Sequence, residues 1–324
     1  MPLMRLPLAV MLLTTSLMAA DLRIGIVGTD TSHVMVFTKM LNDPSAKDHV
    51  AGAKVVAAWK GGSPDVESSR TRVDGYAKDL AEKFNVEIEP DIPTLCSKVD
   101  AVLIESVDGR AHLMEAKQVI AAHKPMFIDK PVASTLADAR EIARLAKEAD
   151  VKWFSSSSYR WSSIAETMKV SDATGVIVWG PGPEEEHHQL DLSWYAIHPI
   201  ELLFTLMGTG CEEVTRTVGA TLDEVTCRWK GGRIGTVLAL RPYGPPGAVV
   251  FRPPSPDDPR HRNLVVMQSP EKTTDAYTPL VEHFVKFFQT GVVPVPNEET
   301  LEIFEFMDAA QRSKAAGGKP MLVH

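Results

Sequence analysis

Arg23-Ile24-Gly25-Ile26-Val27-Gly28-Thr29-Asp30-Thr31-Ser32-His33 is a short apolar run that stops on glycine and opens into a small polar loop. Helical spacing follows from Val34 to Leu41, so the stretch reads as the first strand of a parallel sheet handing over to a helix. A dinucleotide site carries Gly-x-Gly-x-x-Gly in this loop, because the backbone must approach a pyrophosphate closely at a helix N-terminus. Gly28 keeps the first place, but Asp30 and His33 hold the second and third. An ionised Asp30 repels such a group unless its side chain turns away to cap the helix. The fold is legible from this stretch, and the chemistry turns on what the altered loop can still hold.

Working outward, the same rhythm repeats. Lys54 to Trp59, Ala101 to Ile104, Met126 to Asp129 and Val151 to Phe154 read as further strands. Val73 to Phe84, Ile92 to Val99, His112 to His123 and Leu136 to Ala149 have helical spacing. Short, nearly all-apolar strands alternating with helices mark a parallel sheet covered on both faces, whose ligands bind beyond the carboxyl ends of the strands. Those ends carry Gly28, Trp59, Glu105-Ser106, Asp129-Lys130 and Ser155 to Ser158.

Past about residue 170 the pattern is strand-rich. Val176 to Trp179, Glu213 to Val218, Glu224 to Trp229, Ile234 to Leu240, Ala248 to Phe251 and Leu264 to Met267 are expected strands. Helices are expected at Tyr195 to Met207, Pro279 to Gln289 and Thr300 to Ser313. The expectation is an α/β chain: an N-terminal parallel-sheet domain over residues 21–150, then an α+β domain over 151–324 with a predominantly antiparallel sheet. The C-terminal helix is allowed to pack back on the first domain. The proline-dense tract from Tyr243 to Arg262 reads as a surface loop or edge crossover.

Residues 1–20 read as an export segment, with one cation at Arg5, an apolar run from Leu6 to Leu13 and Ala19-Ala20 at its close. The run is shorter than the roughly 20 apolar residues that span a bilayer, so it predicts a periplasmic or extracellular protein without stable membrane insertion. A formal charge of −8 with no Lys/Arg stripe argues against a nucleic-acid surface. Cys96, Cys211 and Cys227 form neither a disulfide framework nor a metal knuckle; buried thiols are the default, with one long-range pair open to an oxidising compartment.

Two residues stand out for chemistry. Lys130 ends a strand and precedes Pro131, which fixes the turn; its ammonium at a strand's carboxyl end can bond a ligand hydroxyl. His198 lies in the apolar run Ile197 to Leu206 and can take a proton from a hydroxyl near neutral pH. Asp191 is the nearest carboxylate upstream, while Trp194 and Tyr195 offer an aromatic wall. His187, His188, Asp191 and His198 match no compact zinc motif, so no metal is expected. Asp30, Ser32 and His33 resemble a Ser/His/Asp set by composition only.

From Leu22 to nearly the C-terminus the chain resembles the glucose–fructose oxidoreductase / inositol dehydrogenase / MocA family (Gfo/Idh/MocA), with a Rossmann-like first domain. The resemblance rests on Val99 to Ile104, His112, Lys124 to Pro131, Ile197 to Leu203 and the closing Gly318-Lys319-Pro320, taken in order. Asp129-Lys130-Pro131 stands where the family has Glu-Lys-Pro, and Trp194 stands where it has an aspartate before the histidine. The resemblance implies an NAD(P)-dependent oxidoreductase acting on a sugar, polyol or related hydroxy compound, with catalytic Lys130 and His198 and with Asp191 as the nearest substitute partner. It implies a cofactor, NAD or NADP, held by Gly28, Thr29, Asp30, Thr31, Ser32, His33, Trp59, Glu105, Ser106, His112 and Lys130. It also implies a homo-oligomer formed through the second-domain sheet. After Trp59 there is no acidic residue for the adenosine ribose; Lys60 suits a 2′-phosphate, and Asp65 is within reach across the glycine turn. Some exported members hold NAD tightly and recycle it within one turnover. The alternatives are a cofactor-free hydrolase or lyase on oxidised sugars, and a non-catalytic carbohydrate-binding protein.

Overall fold

The computed structural model describes residues 20–253, 263–264 and 277–324. The export segment expected over residues 1–20 lies outside them but for its last residue, as do residues 265–267 of the last expected strand.

The first sheet takes β1 (Leu22–Val27), β2 (Ala53–Trp59), β3 (Glu87–Glu89), β4 (Ala101–Ile104), β5 (Met126–Ile128) and β6 (Trp153–Ser155). All pairings are parallel, in the order β3-β2-β1-β4-β5-β6. β4 and β5 are buried at every residue, which is why they read as unbroken apolar runs. Helices α1 (His33–Asn42), α2 (Glu67–Arg70), α3 (Val73–Phe84), α4 (Ile92–Lys98), α5 (His112–Ala121) and α6 (Leu136–Glu148) make the crossovers. α6 shows the local logic. Thr135 caps its N-terminus by accepting from the Asp138 amide at 3.0 Å, and Ala139, Ile142 and Ala146 form its buried stripe. Strand order reverses between β1 and β4, so the crevice beyond their carboxyl ends is where this architecture binds ligands.

After α7 (Ser163–Met168), the second sheet uses β7 (Gly175–Pro181), then, beyond α8 (Ile197–Met207), β8 (Cys211–Val218), β9 (Leu222–Trp229), β10 (Arg233–Leu240), β11 (Gly247–Phe251) and β12 (Asn263–Leu264). α9 (Tyr277–Thr290), α10 (Asn297–Ala315) and β13 (Met321–Leu322) complete the chain. The order is β12-β11-β7-β10-β9-β8-β13, antiparallel except for the parallel β7–β10 pair. β9 buries Asp223, Val225, Cys227 and Trp229 in strict alternation, the pattern of a sheet with one covered face. α8 and α10 cover it. Cys211 and Cys227 sit on the neighbouring strands β8 and β9, with Cα atoms 6.1 Å apart, and are disulfide-bonded. The long-range pair left open by the sequence therefore replaces the default of three buried thiols, and Cys96 alone is a free, buried thiol.

The two halves are stitched together. α9 crosses back to the first sheet, where Phe284 and Phe287 pack edge-on or tilted against Phe37, Phe127 and Phe154. α10 also packs on α6 and β6. Among the described residues, no helix is long and apolar enough to cross a membrane.

Candidate active site

A cavity of about 210 Å³ opens where the carboxyl edge of the first sheet meets the second domain. Thr31, Ser32, His33, Val107 and Lys130 line it from the first domain; Tyr159, Trp194, Tyr195 and His198 line it from the second. Arg72, Ser158, Pro181, Tyr243 and Tyr277 complete the wall.

Lys130 lies just beyond β5 and is joined to Pro131 by a cis bond. Its ammonium stands 5.7 Å from the Tyr195 ring centroid. His198, the second residue of α8, has its Nδ1 2.7 Å from Ser157 Oγ, and Ser157 in turn accepts from the Tyr159 amide at 3.1 Å. When Nδ1–H donates to Ser157, Nε2 is left as a proton acceptor on the cavity side. Burial, then the charges of Lys130 and His33, push the His198 pKa well below the usual 6.5, with Asp129 opposing. A neutral imidazole at pH 7 is thus built into the wall.

Asp191 is not the partner of His198. Its oxygens are taken by Arg216 at 2.6 Å and Lys314 at 2.6 Å, within a charge network around the buried Arg216 that includes the buried Asp223 and the exposed Glu184. A guanidinium removed from water needs carboxylates around it, and that demand claims Asp191. Ser157 fills the role instead. It lies in the run Ser155 to Ser158, whose position at a strand end was visible in sequence, though nothing there singled out one serine.

The glycine-loop residues divide into three groups. Gly28 holds φ +86°, and a Cβ there would lie 2.5 Å from the Ser106 amide nitrogen, so only glycine fits. Thr29 is buried and donates to backbone carbonyls of Lys60 and Val73. Asp30 is fully buried and turned away from α1, but it does not cap the helix: its Oδ1 accepts from the Val107 amide at 2.8 Å and its Oδ2 from Ser69 Oγ at 2.5 Å. Its charge is thereby engaged by internal donors. Thr31, Ser32 and His33 reach the cavity.

The other expected cofactor residues are mostly internal. Ser106 donates to Glu115 at 2.6 Å, and His112 is buried with its ring between the Ser106 and Val132 carbonyls. Trp59 is half-buried at the end of β2. Glu105 is fully buried beside His33 and Asp129; burial, then the charge of Asp129, raises its pKa well above the usual range, with Lys130 opposing. Burial also pushes Asp129 up, but the His33 ring bonded to it at 2.8 Å outweighs this and holds it at about 2. His188 and Asp108 pair at 3.2 Å on the far side, and Lys60 is engaged by Asp74 at 2.7 Å.

A dinucleotide fits this edge in part of its length. Ser32 leaves the N-terminus of α1 without a side-chain cap, so that turn suits an anion, and Arg72 adds a cation on the same cavity. At the adenosine end, Arg110 bridges Asp108 at 2.7 Å and Asp65 at 2.9 Å, spanning the loops after β4 and β2. The Arg110–Asp65 pair is partly exposed, so water competes for both partners and the pair opens readily.

These features define a two-domain Rossmann architecture with a glycine turn at the switch point of its first sheet. Residues 22–158 match the Gfo/Idh/MocA family, described as an oxidoreductase family with an NAD-binding Rossmann fold. No curated protein sequence matches it. Solved structures share the fold along nearly its whole length. Myo-inositol dehydrogenase from Lactobacillus casei, in complex with NAD(H) and myo-inositol, aligns with TM-score 0.71 and 17% identity, over 94% of this chain and 97% of that one. An oxidoreductase from Agrobacterium radiobacter, in complex with NAD+, L-tartaric acid and magnesium, aligns with TM-score 0.71 and 14% identity, over 94% and 99%. Scyllo-inositol dehydrogenase from Lactobacillus casei aligns with TM-score 0.68 and 16% identity, over 94% and 98%.

Proposed function

We propose that this protein is an NAD(P)-dependent oxidoreductase acting on a hydroxyl-bearing carbon of a sugar, polyol or related hydroxy compound. The observation that carries the proposal is the meeting of Lys130 and His198, from two different domains, on one cavity that also receives the uncapped N-terminus of α1. When bound, a nicotinamide dinucleotide supplies the hydride acceptor. Thr31, Ser32 and Arg72, on the wall of the cavity, would hold its phosphates, and Lys130 its nicotinamide ribose; the His33 ring, bonded to Asp129 and Tyr277, is left out of this role.

His198 Nε2 takes the proton of the reacting hydroxyl while the hydride leaves the same carbon. Ser157 fixes the ring and favours the tautomer with a free Nε2. Lys130 donates to the hydroxyl oxygen and stabilises the negative charge that grows there. Trp194 and Tyr195 supply an apolar face for a sugar ring, and the tyrosines 159, 243 and 277 supply hydroxyls for its substituents. Pairing a series of sugars and polyols with NAD+ or NADP+ tests the assignment. Reduction of the nucleotide that depends on Lys130 and His198 supports it; product formed by protein stripped of all bound nucleotide, with none added, favours the cofactor-free lyase.

We further propose that the chain is exported and that, outside the cytoplasm, a tightly held cofactor is recycled within each turnover. The N-terminal segment over residues 1–20 and the bonded Cys211–Cys227 pair support this location. Cell fractionation with N-terminal sequencing checks it: a mature chain beginning near Asp21 supports export, and an intact Met1 in the cytosol contradicts it.

A further inference from the structure

We propose that His33, Glu105 and Asp129 form a binding site for one divalent transition-metal ion at the inner wall of the cavity. The three residues come from three different places on the sheet edge: the first residue of α1, and the residues following β4 and β5. Their donor atoms converge, each within 4.8 Å of the others. His33 Nδ1 is 2.8 Å from Asp129 Oδ2 and 4.0 Å from Glu105 Oε2.

Burial gives the cluster its meaning. His33, Glu105 and Asp129 are 9%, 0% and 3% exposed. Neither oxygen of Glu105 has a hydrogen-bond partner among the described residues, and Oδ1 of Asp129 has none. Buried carboxylate oxygens are ordinarily satisfied by donors or by a cation, so three orphaned oxygens in one dry corner mark a missing partner. A divalent ion between them would engage both carboxylates at once.

The surroundings also suit a metal. The other ring nitrogen of His33, Nε2, is 3.1 Å from the Tyr277 hydroxyl, and the ring stacks on Phe37. A ligand histidine is typically oriented in this way, with its second nitrogen held by a polar partner so that the first is free to coordinate. One imidazole and two carboxylates match the preferences of Zn²⁺, Mn²⁺ and Fe²⁺, and supply too few oxygens for Ca²⁺. This site does not depend on the dinucleotide proposal.

Mn²⁺ and Zn²⁺ are the probes. Chelator-treated, nucleotide-free full-length protein is titrated by calorimetry, with Mn²⁺ binding also followed by electron paramagnetic resonance. Stoichiometric binding is expected, together with a thermal midpoint that rises with metal concentration. Glu105→Gln preserves shape and removes one ligand charge; Asp129→Asn does the same on the other side. Each should weaken binding by at least about tenfold, while Tyr277→Phe weakens it less. Circular dichroism and the metal-free melting curve establish that the variants are folded. Folded wild-type protein that binds neither ion at millimolar concentration overturns the proposal, and so does wild-type affinity in both carboxamide variants. In either case the orphaned oxygens are accounted for by a proton rather than a metal.

Discussion

Ser157 Oγ and His198 Nδ1 lie 2.7 Å apart, joining the segment just beyond the last strand of the first sheet to α8 of the second domain. The bond sets which ring nitrogen faces the cavity, and so whether His198 can accept a proton there. His198→Asn should lower kcat by about 10²–10⁴-fold, the usual loss when general acid–base catalysis is removed, and leave nucleotide affinity near wild type. Ser157→Ala should lower kcat by less. Because the His198 pKa is depressed, its base form persists below pH 6.5 and is lost only as pH falls through the lower value. The acidic limb of kcat should therefore lie below pH 6.5 in the wild type and vanish in His198→Asn. Steady-state kinetics across pH check this.

Asp30 ties its own loop to α2 and to the loop after β4, so removing its carboxylate should not improve nucleotide binding. Charge repulsion at the glycine loop, expected from sequence, is already relieved by the Val107 amide and Ser69. Asp30→Gly leaves those donors unsatisfied and should destabilise the fold by about 1–3 kcal/mol. Denaturant unfolding measures this, with Asp30→Asn expected to lose less.

Asp191 should prove structural. Asp191→Ala removes a ligand of the buried Arg216 and should cost about 3–5 kcal/mol of stability, with kcat close to wild type in the folded fraction. A loss of kcat in fully folded enzyme would place Asp191 in the chemistry after all.

Glu115 gives a pH signature. Burial, opposed by the Ser106 hydrogen bond, raises its pKa to about 8. A carboxyl whose folded pKa is raised binds its proton more tightly in the native state. Its stabilising contribution is complete below the unfolded value and is lost as pH rises through the folded one. Relative to Glu115→Gln, wild-type stability should fall by about 1.4 kcal/mol per pH unit between the ordinary carboxyl range and the raised value. Above it the difference should be flat. Urea unfolding of both proteins across pH checks the sign.

Most of the fold was legible because its physics is local. Strands such as Ala101–Ile104 are buried on both faces and so read as apolar runs, while β9 alternates because only one of its faces is covered. The short edge strand Glu87–Glu89 was not legible, since two of its three residues are exposed and leave no pattern. At the site, Lys130 announced itself through Pro131, and His198 through its helix. Their surroundings did not. Asp191 was nearest in sequence but is claimed by Arg216, and Ser157, 41 residues away from His198, takes its place. His33 opens α1 while Glu105 and Asp129 follow β4 and β5, and only the closed sheet brings their donor atoms together.

The nucleotide content of the folded protein is the most direct test of the dehydrogenase assignment. Native protein is dialysed against millimolar NAD+ or NADP+, desalted and denatured, and the released nucleotide is quantified by mass spectrometry against protein concentration. An amount stoichiometric with the chain, reduced in Lys130→Ala, is the predicted result. Folded wild-type protein that retains neither nucleotide, and shows no binding of either by calorimetry, would contradict the assignment and leave a Rossmann scaffold serving cofactor-free chemistry.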